Sequence, residues 1–147
     1  MQGQVWWITG ASSGIGAALA RALAGEGARL ILSGRNVAAL EEVAAGCGDT
    51  LLLPFEATDT GALPALVEQA WDWAGRVDGI VNNAGISQRS LAVDTDYAVY
   101  ERIIAVDLLA PIAFAQANLA RMLSAGGGHV VAISSVAGLA GVPLRTA

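Results

Sequence analysis

Short apolar runs alternate with longer helical patterns along this 147-residue chain, and that alternation limits the folds open to it. Val5-Trp6-Trp7-Ile8, Arg29-Leu30-Ile31-Leu32, Leu51-Leu52-Leu53, Gly79-Ile80-Val81 and His129 to Ile133 each have the length of a strand. Between the first two, Ala17, Leu19, Ala20, Leu23 and Ala24 recur at helical spacing, and the glycines at 25 and 27 close the helix. Further helices are expected over Val37 to Ala45, about Leu63 to Ala74, and Tyr97 to Leu123; Pro64 is tolerable only in a first turn. Strands apolar on both faces and separated by helices predict an α/β fold, a parallel sheet covered on both sides with right-handed crossovers. No repeat, low-complexity tract or linker divides the chain, so one domain is expected over residues 1–147. Trp6, Trp7, Trp71 and Trp73 are expected to pack against neighbours.

Composition narrows the partners. With 54% apolar and 14% charged residues the chain is far too apolar to be disordered. Its formal charge is 8 − 13 = −5, and all eight basic residues are scattered arginines, which leaves no basic stripe for nucleic acid. The single cysteine, Cys47, excludes an internal disulfide and reads as a small apolar filler in a reducing compartment. The first ten residues carry no basic residue of an export signal, and the best continuous apolar run, Leu108 to Ala115, falls short of the ~18 residues of a membrane span. A soluble cytoplasmic protein is expected, with no membrane or nucleic-acid partner and no metal.

After the first run comes Thr9-Gly10-Ala11-Ser12-Ser13-Gly14-Ile15-Gly16, opening a helix. Glycines there permit a sharp turn, let the backbone approach a pyrophosphate, and let the helix sit close to the sheet. The helix start adds unpaired amides and the positive end of a dipole. The placement points to a dinucleotide site, with a purely structural turn as the alternative. A nucleotide-hydrolysing phosphate loop is excluded, because that motif needs a lysine and the chain has none. Dinucleotide folds read the adenosine ribose about 20 residues further on. Counting from Gly16, 35 − 16 = 19 leads to Arg35 in Ser33-Gly34-Arg35-Asn36, where no carboxylate can accept from the ribose hydroxyls of NAD. A guanidinium suits a 2′-phosphate instead, so NADP(H) is expected in preference to NAD(H), held by Arg35 and the Ser12 hydroxyl. The alternative is a solvated surface charge.

With these features the chain resembles the short-chain dehydrogenase/reductase family from Gln4 to Ala147. The glycine turn is the first shared motif. The second is Asn82-Asn83-Ala84-Gly85 after the fourth strand, which in the family steadies the central sheet and borders the cofactor. The third is Gly128-His129-Val130-Val131-Ala132-Ile133-Ser134-Ser135, ending the fifth. The resemblance implies a Rossmann-type doubly wound parallel sheet in the order 3-2-1-4-5. It also implies an NADP(H)-dependent oxidoreductase acting on a carbonyl/alcohol pair of a small molecule. By resemblance Gly10, Ser12, Ser13, Gly14, Ile15, Gly16, Arg35, Asn83, Ala84 and Gly85 surround the cofactor, and Ser135 orients the carbonyl. Segments 86–90 and 138–144 line the substrate mouth. Two positions depart from the family pattern. Glu56, in Glu56-Ala57-Thr58-Asp59, stands where an aspartate commonly meets the adenine amino group. Asp107, in Val106-Asp107-Leu108, stands where an asparagine commonly holds a water of the proton relay, partly through its carbonyl.

The family's tyrosine follows its serine by 13 residues, and 135 + 13 = 148. The tyrosines present, Tyr97 and Tyr100, are read as structural. The chain is therefore expected to stop before the Tyr-x-x-x-Lys motif, the last helices and the last strands, to be inactive on its own, and to leave the fifth strand as an exposed edge. The alternative is a non-catalytic dinucleotide-binding or regulatory module. A homo-oligomer is expected at full length. Leu108, Leu109, Ile112 and Leu119 are candidates for its seam, with ordinary packing on the sheet as the other explanation.

Overall fold

In the computed structural model, which describes residues 1–145, five parallel strands lie in the order β3-β2-β1-β4-β5. They are β1 Val5–Thr9, β2 Arg29–Ser33, β3 Thr50–Leu52, β4 Gly79–Asn82 and β5 His129–Ala132. The helices are α1 Gly14–Gly25, α2 Val37–Ala44, α3 Leu63–Ala74, α4 Tyr97–Ile104 and α5 Ala110–Ser124. Thr146 and Ala147, the last residues of the expected domain and of the resembling stretch, lie outside the described residues.

Strand alternation builds two apolar layers. Trp6, Ile8, Leu30 and Leu32 face α1 and α2, whereas Val5, Trp7, Ile31 and Ile80 face α3 and α5. Both tryptophans of β1 are buried, Trp7 completely. The Trp7 ring meets Phe114 edge to face at 4.8 Å, and its Nε1 donates to Ser33 Oγ at 2.8 Å. Trp71 and Trp73 pack partly buried on the second layer, with the Arg29 guanidinium 4.3 Å from the Trp73 ring centre. Cys47 is buried in the first layer, and that burial pushes its thiol pKa up, against a smaller opposing pull from Arg21.

Two findings differ from the sequence expectation. The single helix expected over Tyr97 to Leu123 opens into a π-type turn, Ala105–Leu109, between α4 and α5. Pro111 sits in the first turn of α5 and has no N–H for the carbonyl four positions back, at 107, so the regular ladder breaks there. The composite segment Tyr97–Ser124 is also 28 residues long and contains an 18-residue window of mean hydropathy 1.7, enough by length and composition alone to cross a membrane. Charged residues interrupt it, which is why no continuous apolar run marks it in the sequence. Its inner face, Val106, Ala110, Phe114, Asn118 and Met122, is buried in this fold.

Leu108, Leu109, Ile112 and Leu119 all lie exposed on the other face, so packing on the sheet does not account for them. Tyr97 is also largely exposed. All four residues of β5 are exposed, as expected of an edge strand.

Candidate functional site

A cleft of about 360 Å3 opens where the chain leaves β1, β2 and β4, on either side of the first crossover. In doubly wound sheets this is the switch point at which ligands bind. Gly10, Ser12, Ser13, Gly14, Ile15, Arg35, Glu56, Asn83, Ala84 and Gly85 all line it. Gly16 lies behind that wall. Its missing side chain leaves room for Asn83 Nδ2, which would stand 2.5 Å from a Cβ there.

A hydroxyl clasp sets the shape of the cleft floor. Thr9 Oγ1 donates to the Val81 carbonyl at 3.1 Å and accepts from the backbone N–H groups of Asn83 (3.0 Å) and Ala84 (3.1 Å). Asn83 Nδ2 returns across the gap, donating to the Thr9 and Gly10 carbonyls at 3.0 and 3.1 Å. The segment Asn82-Asn83-Ala84-Gly85 is thus bonded to the glycine turn by side chains of both. Ser13 caps α1 without a side-chain bond to the first-turn amides, which leaves these donors and the positive helix end for an anion. The glycine cradle, the uncapped helix start and the cleft fit a dinucleotide pyrophosphate.

At the second strand, Asn36 caps α2 by accepting from Ala39 N–H at 3.1 Å, which ends the turn one residue after Arg35. Arg35 is two-thirds exposed and reaches over the cleft, and Ser12 lies against Gly34 beside it. Arg35 is paired at the surface. Its Nη1 stands 3.4 Å from Glu56 Oε2, and Arg102 Nη2 stands at the same distance from that oxygen. Desolvation by itself raises the Glu56 pKa, but the Arg102 and Arg35 guanidiniums, with a backbone N–H at Thr58, outweigh it and hold the carboxyl below its ordinary value.

Neither Asp107 nor Ser135 lines this cleft. Asp107 lies in the π-type turn, and its Oδ1 accepts from Ile86 N–H at 2.9 Å, tying the turn to the loop after β4. Asp107 thus ties the two segments through its side chain, and Oδ1 is an acceptor in asparagine and aspartate alike. Ser135 follows β5, two residues beyond the Ile133 N–H that donates to Asn82 at 2.9 Å; its own Oγ accepts from Ala137 N–H at 3.2 Å. Segments 86–90 and 138–144 lie against each other. Ser90 N–H donates to the Leu144 carbonyl at 3.1 Å, and Arg145 bonds Ser87 Oγ and the Gln88 carbonyl.

Sequence reasoning missed two contributors. Thr9 was visible only as the end of a strand, although a hydroxyl at the last position of an otherwise apolar run is itself a signal. Arg102 had no local signal, since its partner Thr58 is 44 positions away.

Residues 4–147 match the short chain dehydrogenase family. The chain belongs to it. Family members are oxidoreductases that bind NAD(P). Among its relatives in this family is dehydrogenase/reductase SDR family member 7 of Homo sapiens, 40% identical over 95% of this chain and 44% of that protein. Levodione reductase superposes with a TM-score of 0.94 at 29% identity, covering 99% of this chain and 59% of that one. A metagenomic short-chain oxidoreductase solved with NADP superposes at 0.88 with 36% identity, covering 98% and 67%. The chain spans about half the length of the curated relatives it matches.

Proposed function

We propose that this chain forms the coenzyme half of an NADP(H)-dependent oxidoreductase that interconverts a carbonyl and an alcohol on a small molecule. The observation that carries the coenzyme preference is Arg35: a guanidinium at the end of β2, over the cleft and beside Ser12, where an NAD site places a carboxylate. The related oxidoreductase solved with NADP is in keeping with it.

In this reading Gly10, Ser12, Ser13, Gly14, Ile15 and Gly16 cradle the pyrophosphate with backbone N–H groups. Arg35 and Ser12 take the 2′-phosphate, Glu56 borders the adenosine end, and Asn83, Ala84 and Gly85 form the wall towards the nicotinamide. The coenzyme's contribution is a hydride for the carbonyl carbon. What the chain must then supply is a donor for the negative charge developing on oxygen, and Ser135 Oγ is the group assigned to it. Asp107 positions the loop from Ile86 at the mouth. The proton needed to complete an alcohol has no donor of the Tyr-x-x-x-Lys type among these 147 residues, which contain no lysine.

Arg35→Gln tests the preference. A charge-assisted hydrogen bond contributes about 1.5–3 kcal/mol, so NADPH should bind about ten- to a hundredfold more weakly while NADH changes little. Equal losses for the two coenzymes, measured by fluorescence titration, would reject the assignment.

A further inference from the structure

The adenosine end of the cleft holds one cation more than the glycine turn and β2 provide. Arg102 comes from α4, outside every motif read above, yet it lines the same cleft as Arg35. The two guanidiniums share a single acceptor, Glu56 Oε2, at 3.4 Å each. Arg102 is also held from the other side, its Nη1 donating to Thr58 Oγ1 at 3.3 Å. We propose that Arg102 is a positioning residue for coenzyme choice: it keeps the Glu56 carboxylate engaged, so that Arg35 is left to grip a 2′-phosphate. The inference rests on the NADP(H) reading above and adds to it a residue that never touches the phosphate.

Charge balance sets the effect. Arg35 and Glu56 alone would make a closed pair of zero net charge, and an arriving 2′-phosphate would compete with the carboxylate for the guanidinium while being repelled by it. With Arg102 present, two guanidiniums and one carboxylate leave a net +1, and Glu56 retains a partner when Arg35 turns to the phosphate. Thr58 keeps that partner in place. These side chains are 37–67% exposed, so water and salt screen the effect and it stays well below that of Arg35 itself. The expected size is about two- to fivefold in NADPH affinity.

The test is a set of NADPH and NADH titrations on the intact protein, comparing the parent with Arg102→Gln, Glu56→Gln, the double substitution, and Arg35→Gln. Arg102→Gln should weaken NADPH about two- to fivefold and leave NADH unchanged, and Glu56→Gln placed on top of it should restore NADPH binding. A merely structural arginine would lower both coenzymes together and would not be rescued by removing a carboxylate. Unchanged NADPH binding, parallel losses or failed rescue each overturn the proposal. Should Arg102→Gln not fold, Glu56→Gln alone decides: preference for NADPH over NADH should rise, and an unchanged or lower preference overturns it. Arg35→Gln separates the two layers of inference. If it weakens NADPH selectively and Arg102→Gln does not, only the role of Arg102 falls; if it leaves the preference intact, the NADP(H) reading falls first.

Discussion

A methyl group on Gly16 would meet Asn83 Nδ2 at 2.5 Å and the Gly10 carbonyl oxygen closer still, and neither can retreat without breaking the bonds that join the glycine turn to the segment after β4. Gly14 is different. Nothing lies within 4 Å of its missing Cβ, but its φ of +54° is left-handed, where a side chain is strained by about 1–2 kcal/mol. Two alanine substitutions two residues apart should therefore separate steric from conformational cost. Gly16→Ala should lower stability by about 1–3 kcal/mol through overpacking and disturb the Asn83 clasp. Gly14→Ala should lose no more than about 1–2 kcal/mol and leave the clasp intact, while placing a methyl in the open cleft where the pyrophosphate is proposed to rest. Urea unfolding of the two variants measures the first difference and NADPH titration the second. If Gly16→Ala is the milder in unfolding, the close approach described here is not what that glycine serves.

At the scale of elements, a bond from Ile86 N–H to Asp107 Oδ1 ties the loop after β4 to the π-type turn. Asp107→Asn keeps that acceptor and should alter stability by less than about 0.5 kcal/mol, whereas Asp107→Ala removes it and should cost about 1 kcal/mol. Thermal unfolding of the pair checks this, and equal losses would mean that the acceptor is not what matters. The elements themselves were largely legible in the sequence, because apolar runs and helical periodicity are local properties: α3 was expected at about Leu63 to Ala74 and occupies Leu63–Ala74. The glycine turn was legible for the same reason, since a short motif between strand and helix carries its own geometry. The break before α5 was written in Pro111 but is masked by apolar residues that continue the helical pattern through it. The ion pairs of Glu56 were not legible at all. They depend on how far α4 leans over the end of β3, and no spacing along the chain encodes that distance. The buried Asp78, just before β4, is a similar case: it accepts at 2.8 Å from the N–H of Val5, 73 positions away.

Taken whole, the molecule has one finished side and one open side. The helices α1 and α2 cover the first layer, and α3 with the inner face of α5 covers the second. By contrast, the outer face of α5 and its π-type turn expose Leu108, Leu109, Ile112, Leu119 and Leu123, and all of β5 is exposed on the sheet edge. An exposed row of large apolar side chains and an exposed edge strand each make an unstable surface in water, because apolar area and strand edges gain by being covered. The net charge of −5 opposes association only weakly at physiological salt, where the screening length is about 8 Å. These 147 residues produced by themselves should therefore self-associate as concentration rises. Glutamate at Leu109 and Ile112 together should shift sedimentation towards the monomer without lowering the unfolding midpoint by more than a few degrees, since both side chains are about half exposed already. If the doubly substituted and parent chains sediment alike across the concentration series, the outer face of this helix is not what draws the molecules together, and the edge of β5 becomes the surface to block next.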